Sequence, residues 1–205
     1  MQRISLVNTA HNLIKEVLHA GAIAIDATVG NGHDTLFLVE QVSPSGKVFG
    51  FDIQLAAIES THQKCLHTQN PECLTLIHAS HAEMADRIPA NHHGNISVIM
   101  FNLGYLPGGD KTIITCTDST ITALQSASQL LSSQGIITIM AYPGHSGGDL
   151  ETAQVKNWCE QLDDNHFKSR INYSSENKAS APRLFVIKKS TKINGQQNNL
   201  LSFRP

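Results

Sequence analysis

The chain has 205 residues, 40% of them hydrophobic, enough for one domain with a full core and little more. Its net charge of −2 is unlike that of a protein gripping long nucleic acid, so any RNA contact has to come from a local patch or a second subunit. No apolar run reaches the roughly 18 residues of a membrane span, the N-terminus lacks a secretory signal, and four cysteines without a CxxC pair argue against structural zinc or a disulfide framework and for a reducing cytoplasm.

Residues 4–20 read as an amphipathic helix with Ile4, Val7, His11, Ile14 and Leu18 on one face and Gly21 placed to cap it. A buried strand is predicted over 22–27, a helix over 33–42, a turn at Ser43-Pro44-Ser45-Gly46, and a second strand over 47–52. A helix follows over 54–68, with Leu55, Ile58, His62 and Leu66 at helical spacing. The third strand is 73–78, followed by a short helix from His81 to about Arg87, and the fourth strand is 96–101. A helix over 117–132, closed by Gly135, leads to a fifth strand over 136–142 and a helix over 149–162. Phe167–Tyr173 and Arg183–Lys189 read as two final strands without a helix between them. Alternating strands and helices with apolar strands mean a mostly parallel sheet covered on both faces, and the last pair predicts an antiparallel hairpin at its edge. The expected organisation is one α/β domain over 1–190 and a polar, aperiodic tail over 191–205.

The stretch Asp26-Ala27-Thr28-Val29-Gly30-Asn31-Gly32-His33-Asp34-Thr35 joins the first strand to the first helix of the sheet. A strand, a tight glycine turn and a helix open a nucleotide-type site. Asp52 closes the next strand about 20 residues after Gly32, where a carboxylate can accept both hydroxyls of a ribose. Asp34 stands where a dinucleotide fingerprint has its third glycine. An acidic side chain there repels a pyrophosphate but suits a cation. S-adenosylmethionine carries an ammonium and a sulfonium and no phosphate, so Asp26 and Asp34 favour it over a nicotinamide dinucleotide.

Ligands of open α/β sheets sit at the carboxyl ends of the strands. There Ile53 is placed to pack on an adenine face, Gln54 follows it, and Ser80 and His81 are placed at the adenine edge, with helix capping an equal reading of Ser80. Asn102-Leu103-Gly104-Tyr105 resembles the Asn-Pro-Pro-Tyr loop of amino-group methyltransferases, with both prolines replaced. In such a loop the Asn side-chain oxygen and a backbone carbonyl accept the N–H bonds of an amine while the aromatic ring stacks on the target base. An aliphatic amine must lose a proton before attack, to His145, Tyr142 or Asp34, or the site must favour the neutral amine by desolvation.

Five βα units followed by a hairpin are the layout of a Rossmann-like class I methyltransferase with a seven-stranded sheet. Asp26–Thr35, Phe101–Lys111 and Tyr142–Gly148 resemble the motifs of the YtqB-like rRNA methylase family, which includes MnmM-type tRNA methyltransferases. Ala10-His11 also resembles the family's N-terminal helix. The resemblance implies S-adenosylmethionine as methyl donor and, as acceptor, the 5-aminomethyl group of 2-thiouridine at the wobble position of the tRNA anticodon. It implies cofactor contacts from Asp26, Thr28, Gly30, Asn31, Gly32, Asp34, Thr35, Asp52, Ile53, Gln54, Ser80, His81 and Asn102. Asn102, Tyr105, Tyr142 and His145 would form the catalytic set, without a metal. The alternative is a methyltransferase of the same class acting on ribosomal RNA or a small amine. A nicotinamide oxidoreductase lacks both the third glycine and a Tyr-x-x-x-Lys pair, and a non-catalytic RNA-binding domain fits poorly with a neutral charge and intact cofactor loops. Lys111, Lys168, Arg170, Lys178 and Arg183 are candidates for a modest basic rim facing tRNA, and a homodimer would widen the RNA footprint.

Overall fold

The computed structural model describes residues 5–110, 112–174 and 178–190. The strands are β1 (Ile23–Asp26), β2 (Lys47–Asp52), β3 (Leu74–His78), β4 (Ile96–Asn102), β5 (Leu131–Ala141), β6 (Phe167–Tyr173) and β7 (Arg183–Lys189). Helices α1 (Leu6–Lys15), α2 (His33–Val42), α3 (Leu55–Cys65), α4 (Met84–Arg87), α5 (Thr117–Leu130) and α6 (Gly148–Glu160) fall before and between them. One sheet runs in the order β3-β2-β1-β4-β5-β7-β6. Strands β1 to β5 pair in parallel, and β7 pairs antiparallel with both β5 and β6. This is the predicted class I methyltransferase architecture. The order reverses at β1 and β4, which opens a crevice above their carboxyl ends. No helix among the described residues is long and apolar enough to cross a membrane.

Alternation along the strands divides the core between the two faces of the sheet. Ile25, Phe101, Ile137, Ile139 and Phe185 pack with Leu124, Val155 and Trp158 of α5 and α6. Ala24, Val98, Met100, Met140 and Leu184 pack with Leu13, Ile14, Leu38 and Val39 of α1 and α2. All four cysteines are free thiols, and three of them are buried.

Three elements differ from expectation. Helix α1 ends at Lys15, not near residue 20, and the chain turns there, with the N–H groups of Val17 and Leu18 both donating to the Ile14 carbonyl. Leu18 reaches the core from that turn, so the apolar spacing outlasts the helix, and Gly21 donates to Val42 in a separate turn. On α3 the spacing selects the wrong face. Leu55 and Leu66 are exposed, while Ala57, Thr61 and Cys65 are buried. Small residues are required there because Thr61 packs directly under the glycine turn. Strand β5 begins at Leu131, immediately after α5, and Leu131 pairs with Ile96 before the register shifts at Val98. Gly135 therefore lies within the strand and does not close α5. The predicted tail, 191–205, lies outside the described residues.

Gly32 is the N-cap of α2 with φ of 72°, and a Cβ there would lie 2.4 Å from the Thr61 hydroxyl. A left-handed backbone and this contact both exclude a side chain. Gly32→Ala is expected to destabilise the fold by roughly 1–3 kcal/mol, read as a lower midpoint in a thermal melt. An unchanged melt would show that the turn relaxes without loss.

Candidate active site

The glycine turn is held from behind by a buried carboxylate. Asp26 ends β1 without exposed surface, accepting the Thr28 N–H at 3.1 Å and the Thr35 hydroxyl at 2.6 Å. Burial, with the Asp34 charge, pushes its carboxyl up to about 7 against the lowering effect of Thr35 and Thr28. Lys64 of α3 donates to the Asn31 carbonyl, and the Asn31 side chain donates to the Pro107 carbonyl at 3.2 Å. The turn is therefore tied at one side to α3 and at the other to the loop after β4.

Asp52 stands at the carboxyl end of β2. One of its oxygens accepts the Gly30 N–H and the other the Gln54 N–H, each at 2.8 Å. A carboxylate offers about four acceptor positions, so each oxygen keeps capacity for a hydroxyl. A cleft of about 360 Å³ runs from Asp52, Ile53 and Gln54 past Ser80 and His81 to Asn102 and Tyr105. Ile53 is 53% exposed, an apolar side chain left open for a planar ligand. Ser80 caps the turn that leads into α4: its hydroxyl accepts the Ala82 N–H, and Glu83 accepts the Ser80 N–H. His81 is 7% exposed, with its ring edge-on to Phe101. Burial holds its pKa below the usual histidine range, and its Nε2 has no hydrogen-bond partner. A neutral ring nitrogen left unpaired at a cleft wall suits the polar edge of a ligand.

A second cavity, of about 630 Å³, shares Thr28, Gly30, Asn102, Gly104 and Tyr105 with the first and extends to Asp34, Tyr142, His145 and Ser180. Asp34 bridges two distant elements at its floor. One carboxylate oxygen lies 2.6 Å from His11 Nε2 of α1, and the other accepts from Asn102 Nδ2 of β4 at 2.7 Å. The His11 ring stacks on Phe37, 3.9 Å between centroids and 5° between planes. Burial raises the Asp34 pKa, but hydrogen bonds from His11 and Asn102, with the His11 and His33 charges, bring it below the usual carboxylate range. Asp34 is thus a fixed negative charge. Asn102 also donates its backbone N–H to Thr28 Oγ1 at 2.7 Å. With Nδ2 committed to Asp34, its amide oxygen remains the available acceptor.

The loop after β4 is anchored by a residue the sequence reading missed. Glu151 of α6 is 3% exposed and accepts the Thr115 hydroxyl at 2.8 Å and the Thr120 hydroxyl at 2.7 Å. Thr115 in turn accepts the Gly104 N–H at 2.8 Å and donates its own N–H to the Gly104 carbonyl. Gly104 has φ of 138°, which favours glycine, and a Cβ would lie 3.3 Å from His145 Nε2. Tyr105 pairs with Ile114 across the loop. His145 Nδ1 donates to the Ser146 carbonyl at 3.0 Å, which in the neutral ring leaves the lone pair on Nε2. That atom is buried without a hydrogen-bond partner, and the ring lies edge-on to Tyr105 at 6.0 Å. Burial, with the Asp34 charge, pushes the Tyr142 phenol above its usual range. Among the described residues no group of three or more His, Cys, Asp or Glu side chains is placed to hold a metal ion.

The "Putative rRNA methylase" family model matches residues 48–189. The chain belongs to this family. An Arabidopsis thaliana protein named chloroplastic tRNA (mnm(5)s(2)U34)-methyltransferase is 38% identical over 162 residues, 75% of this chain. The chain spans 58% of that relative's length. The crystal structure of a family protein from Clostridium thermocellum superposes with a TM-score of 0.85 at 35% identity, covering 92% of this chain and 98% of that one. A Streptococcus mutans methyltransferase solved in complex with SAH gives 0.78 at 33% identity, covering 92% and 99%.

Of the residues predicted for the site, Thr28, Gly30, Asn31, Asp34, Asp52, Ile53, Gln54, Ser80, His81, Asn102, Tyr105, Tyr142 and His145 line one or both cavities. Asp26, Gly32 and Thr35 do not: the last inward side chain of β1 and its partners stand behind the turn and shape it. The basic rim divides. Lys178 and Arg183 lie at the site end of the β6–β7 hairpin, Lys168 pairs opposite Lys188 near its other end, Arg170 lies between, and Lys111 lies outside the described residues. Because β6 runs towards the site edge, only its last residues reach that edge. Glu151 left a signal in the sequence, since it falls with Val155 and Trp158 on the buried stripe of α6.

The folded-state pKa of Asp26, about 7, lies above its ordinary value of 3.8. Between these values the folded chain holds a proton that the unfolded chain has released, so this stabilising contribution is complete at the acid end and is lost as pH rises towards 7. Wild type should lose thermal stability relative to Asp26→Asn over that rise. Parallel melting curves against pH would contradict the shift.

Proposed function

We propose that the chain is an S-adenosylmethionine-dependent N-methyltransferase of the cytoplasm that converts 5-aminomethyl-2-thiouridine at the tRNA wobble position to 5-methylaminomethyl-2-thiouridine. The observation that carries the reading is Asn102, pinned by Asp34 with its amide oxygen free, beside Tyr105 and between the two cavities. The cleft fits the donor on its own terms. Asp52 has free acceptor capacity for a ribose, Ile53 an open apolar face for adenine, and His81 an unpaired nitrogen at the adenine edge. Gly30 and Asn31 would take the amino-acid end, with Asp34 as the fixed charge facing a cation. Proteins named for this reaction and for bound SAH are similar to the chain at 38% and 33% identity. The wobble position makes the anticodon loop the region of tRNA engaged, and the proposal includes a homodimer as the means of widening its footprint.

When bound, S-adenosylmethionine supplies a methyl group made electrophilic by its sulfonium. The protein's task is alignment. Asn102 Oδ1 accepts an N–H of the amine and turns its lone pair towards the cleft, while Tyr105 and Tyr142 flank the base in the larger cavity. With the donor held, the amine aligned by Asn102 would take the methyl as the C–S bond broke, its electrons leaving with sulfur. The amine must be neutral to attack. Asp34, held below the usual carboxylate range, is a poor base, and Tyr142, pushed above its own, is rarely a phenolate at neutral pH. His145 Nε2 carries a free lone pair at the cavity wall and is assigned as the proton acceptor.

The test is nucleoside mass spectrometry of tRNA from cells that accumulate the aminomethyl precursor, after incubation with pure protein and S-adenosylmethionine. One methyl should be gained at that nucleoside. Asp52→Ala should abolish cofactor binding in calorimetry. Asn102→Ala should retain binding and lose most turnover. No gain on tRNA with cofactor binding intact would move the acceptor to ribosomal RNA or a small amine, and equal loss of binding in both variants would contradict the role of Asn102.

A further inference from the structure

Among the described residues the tyrosines are the exposed aromatic side chains, while Phe37 and Phe167 are half-buried. All three, Tyr105, Tyr142 and Tyr173, are exposed, at 38%, 38% and 65%. Phe49, Phe51, Phe101, Phe185 and Trp158 are all buried. The tyrosines also share one edge of the molecule. Tyr105 follows β4, Tyr142 is the first residue beyond β5, and Tyr173 is the last of β6, so each stands at the carboxyl end of a strand. Tyr105 and Tyr142 line the larger cavity, whereas Tyr173 stands outside it.

Register places Tyr173 relative to that cavity. Ala141 pairs with Arg183, and Arg183 pairs with Tyr173. Tyr173 therefore lies two strand spacings, about 10 Å, from the end of β5. That is within reach of a nucleotide neighbouring one whose base fills the cavity. The residue directly across the hairpin is a cation, Arg183, and Lys178 is exposed in the connecting loop. An open aromatic face beside cations is how unpaired nucleic acid is held: the ring stacks on a base and the charge meets the backbone.

We propose that Tyr173, with Arg183 across the hairpin, is a stacking platform for an unpaired RNA nucleotide flanking the one whose amine is methylated. The proposal rests on the reaction assigned above and adds the surface that holds the strand in place. It gives a chain of net charge −2 a local grip on RNA.

The experiment is a fluorescence-polarisation titration of an anticodon stem-loop with wild type, Tyr173→Ala, Tyr173→Phe and Arg183→Gln, each saturated with S-adenosylhomocysteine, alongside calorimetry of cofactor binding. Methyl transfer to the same stem-loop carrying the aminomethyl group is measured in parallel. Tyr173→Ala should bind RNA about tenfold more weakly, Tyr173→Phe should bind like wild type, Arg183→Gln should lower the salt dependence, and cofactor affinity should be unchanged in all. Tyr173→Ala binding RNA as tightly as wild type, or wild type failing to bind the stem-loop, overturns the platform. If wild type binds but transfers no methyl while Tyr173→Ala still loses binding, the reaction assignment falls and the platform stands. Normal transfer by wild type with no effect of Tyr173→Ala leaves the reaction and removes the platform.

Discussion

A single carboxylate joins the parts of this site that sequence keeps apart. Asp34 sits on the first turn of α2, its oxygens taken by His11 of α1 and Asn102 of β4. Each bond is short and involves an ionised acceptor, the stronger class of hydrogen bond. The effect on Asn102 is directional: an amide whose nitrogen is held can offer only its oxygen, and the oxygen is the half that an amine needs. The same bonds keep Asp34 ionised, so in the proposed reaction one residue would both orient Asn102 and supply negative charge beside the donor.

This arrangement depends on supports lying further out. Asp26, neutral over much of the acid range, ties the glycine turn to α2 through Thr28 and Thr35, so that Asp34 emerges at a fixed place. On the other side Glu151 holds Thr115 and Thr120, and Thr115 holds Gly104, which fixes the path of the loop next to Asn102. Two buried carboxyl groups thus grip the two loops, and Asn31 links the loops to each other through Pro107. The switch in strand order between β1 and β4 brings all of this to one crevice.

Much of this framework could be read from periodicity alone. The bounds of α2, β2, β6 and β7 coincide with the apolar and helical patterns, because those elements face one continuous core. The misreadings have local causes. On α3 the packed face is made of Ala57, Thr61 and Cys65, residues too small or too polar to stand out beside Leu55 and Leu66. In the candidate site, Asp52 and Asn102 were legible as cleft-lining residues because each closes a strand at the carboxyl edge of the sheet. The Asp34 bridge was not, since its partners lie 23 and 68 residues away and neither spacing is a local pattern. Glu151 was not legible as an anchor either, since its partners Thr115 and Thr120 lie 36 and 31 residues away.

Whether His11 acts on Asn102 through Asp34 is tested most directly by single-turnover methyl transfer alongside the cofactor dissociation constant in His11→Ala and His11→Gln. The expected result is an unchanged dissociation constant, a rate roughly tenfold lower in His11→Ala, as for the loss of one charge-assisted bond, and partial recovery in His11→Gln, which can still donate to Asp34. An unchanged rate in His11→Ala, or a rate loss matched by equal loss of cofactor binding, would contradict it.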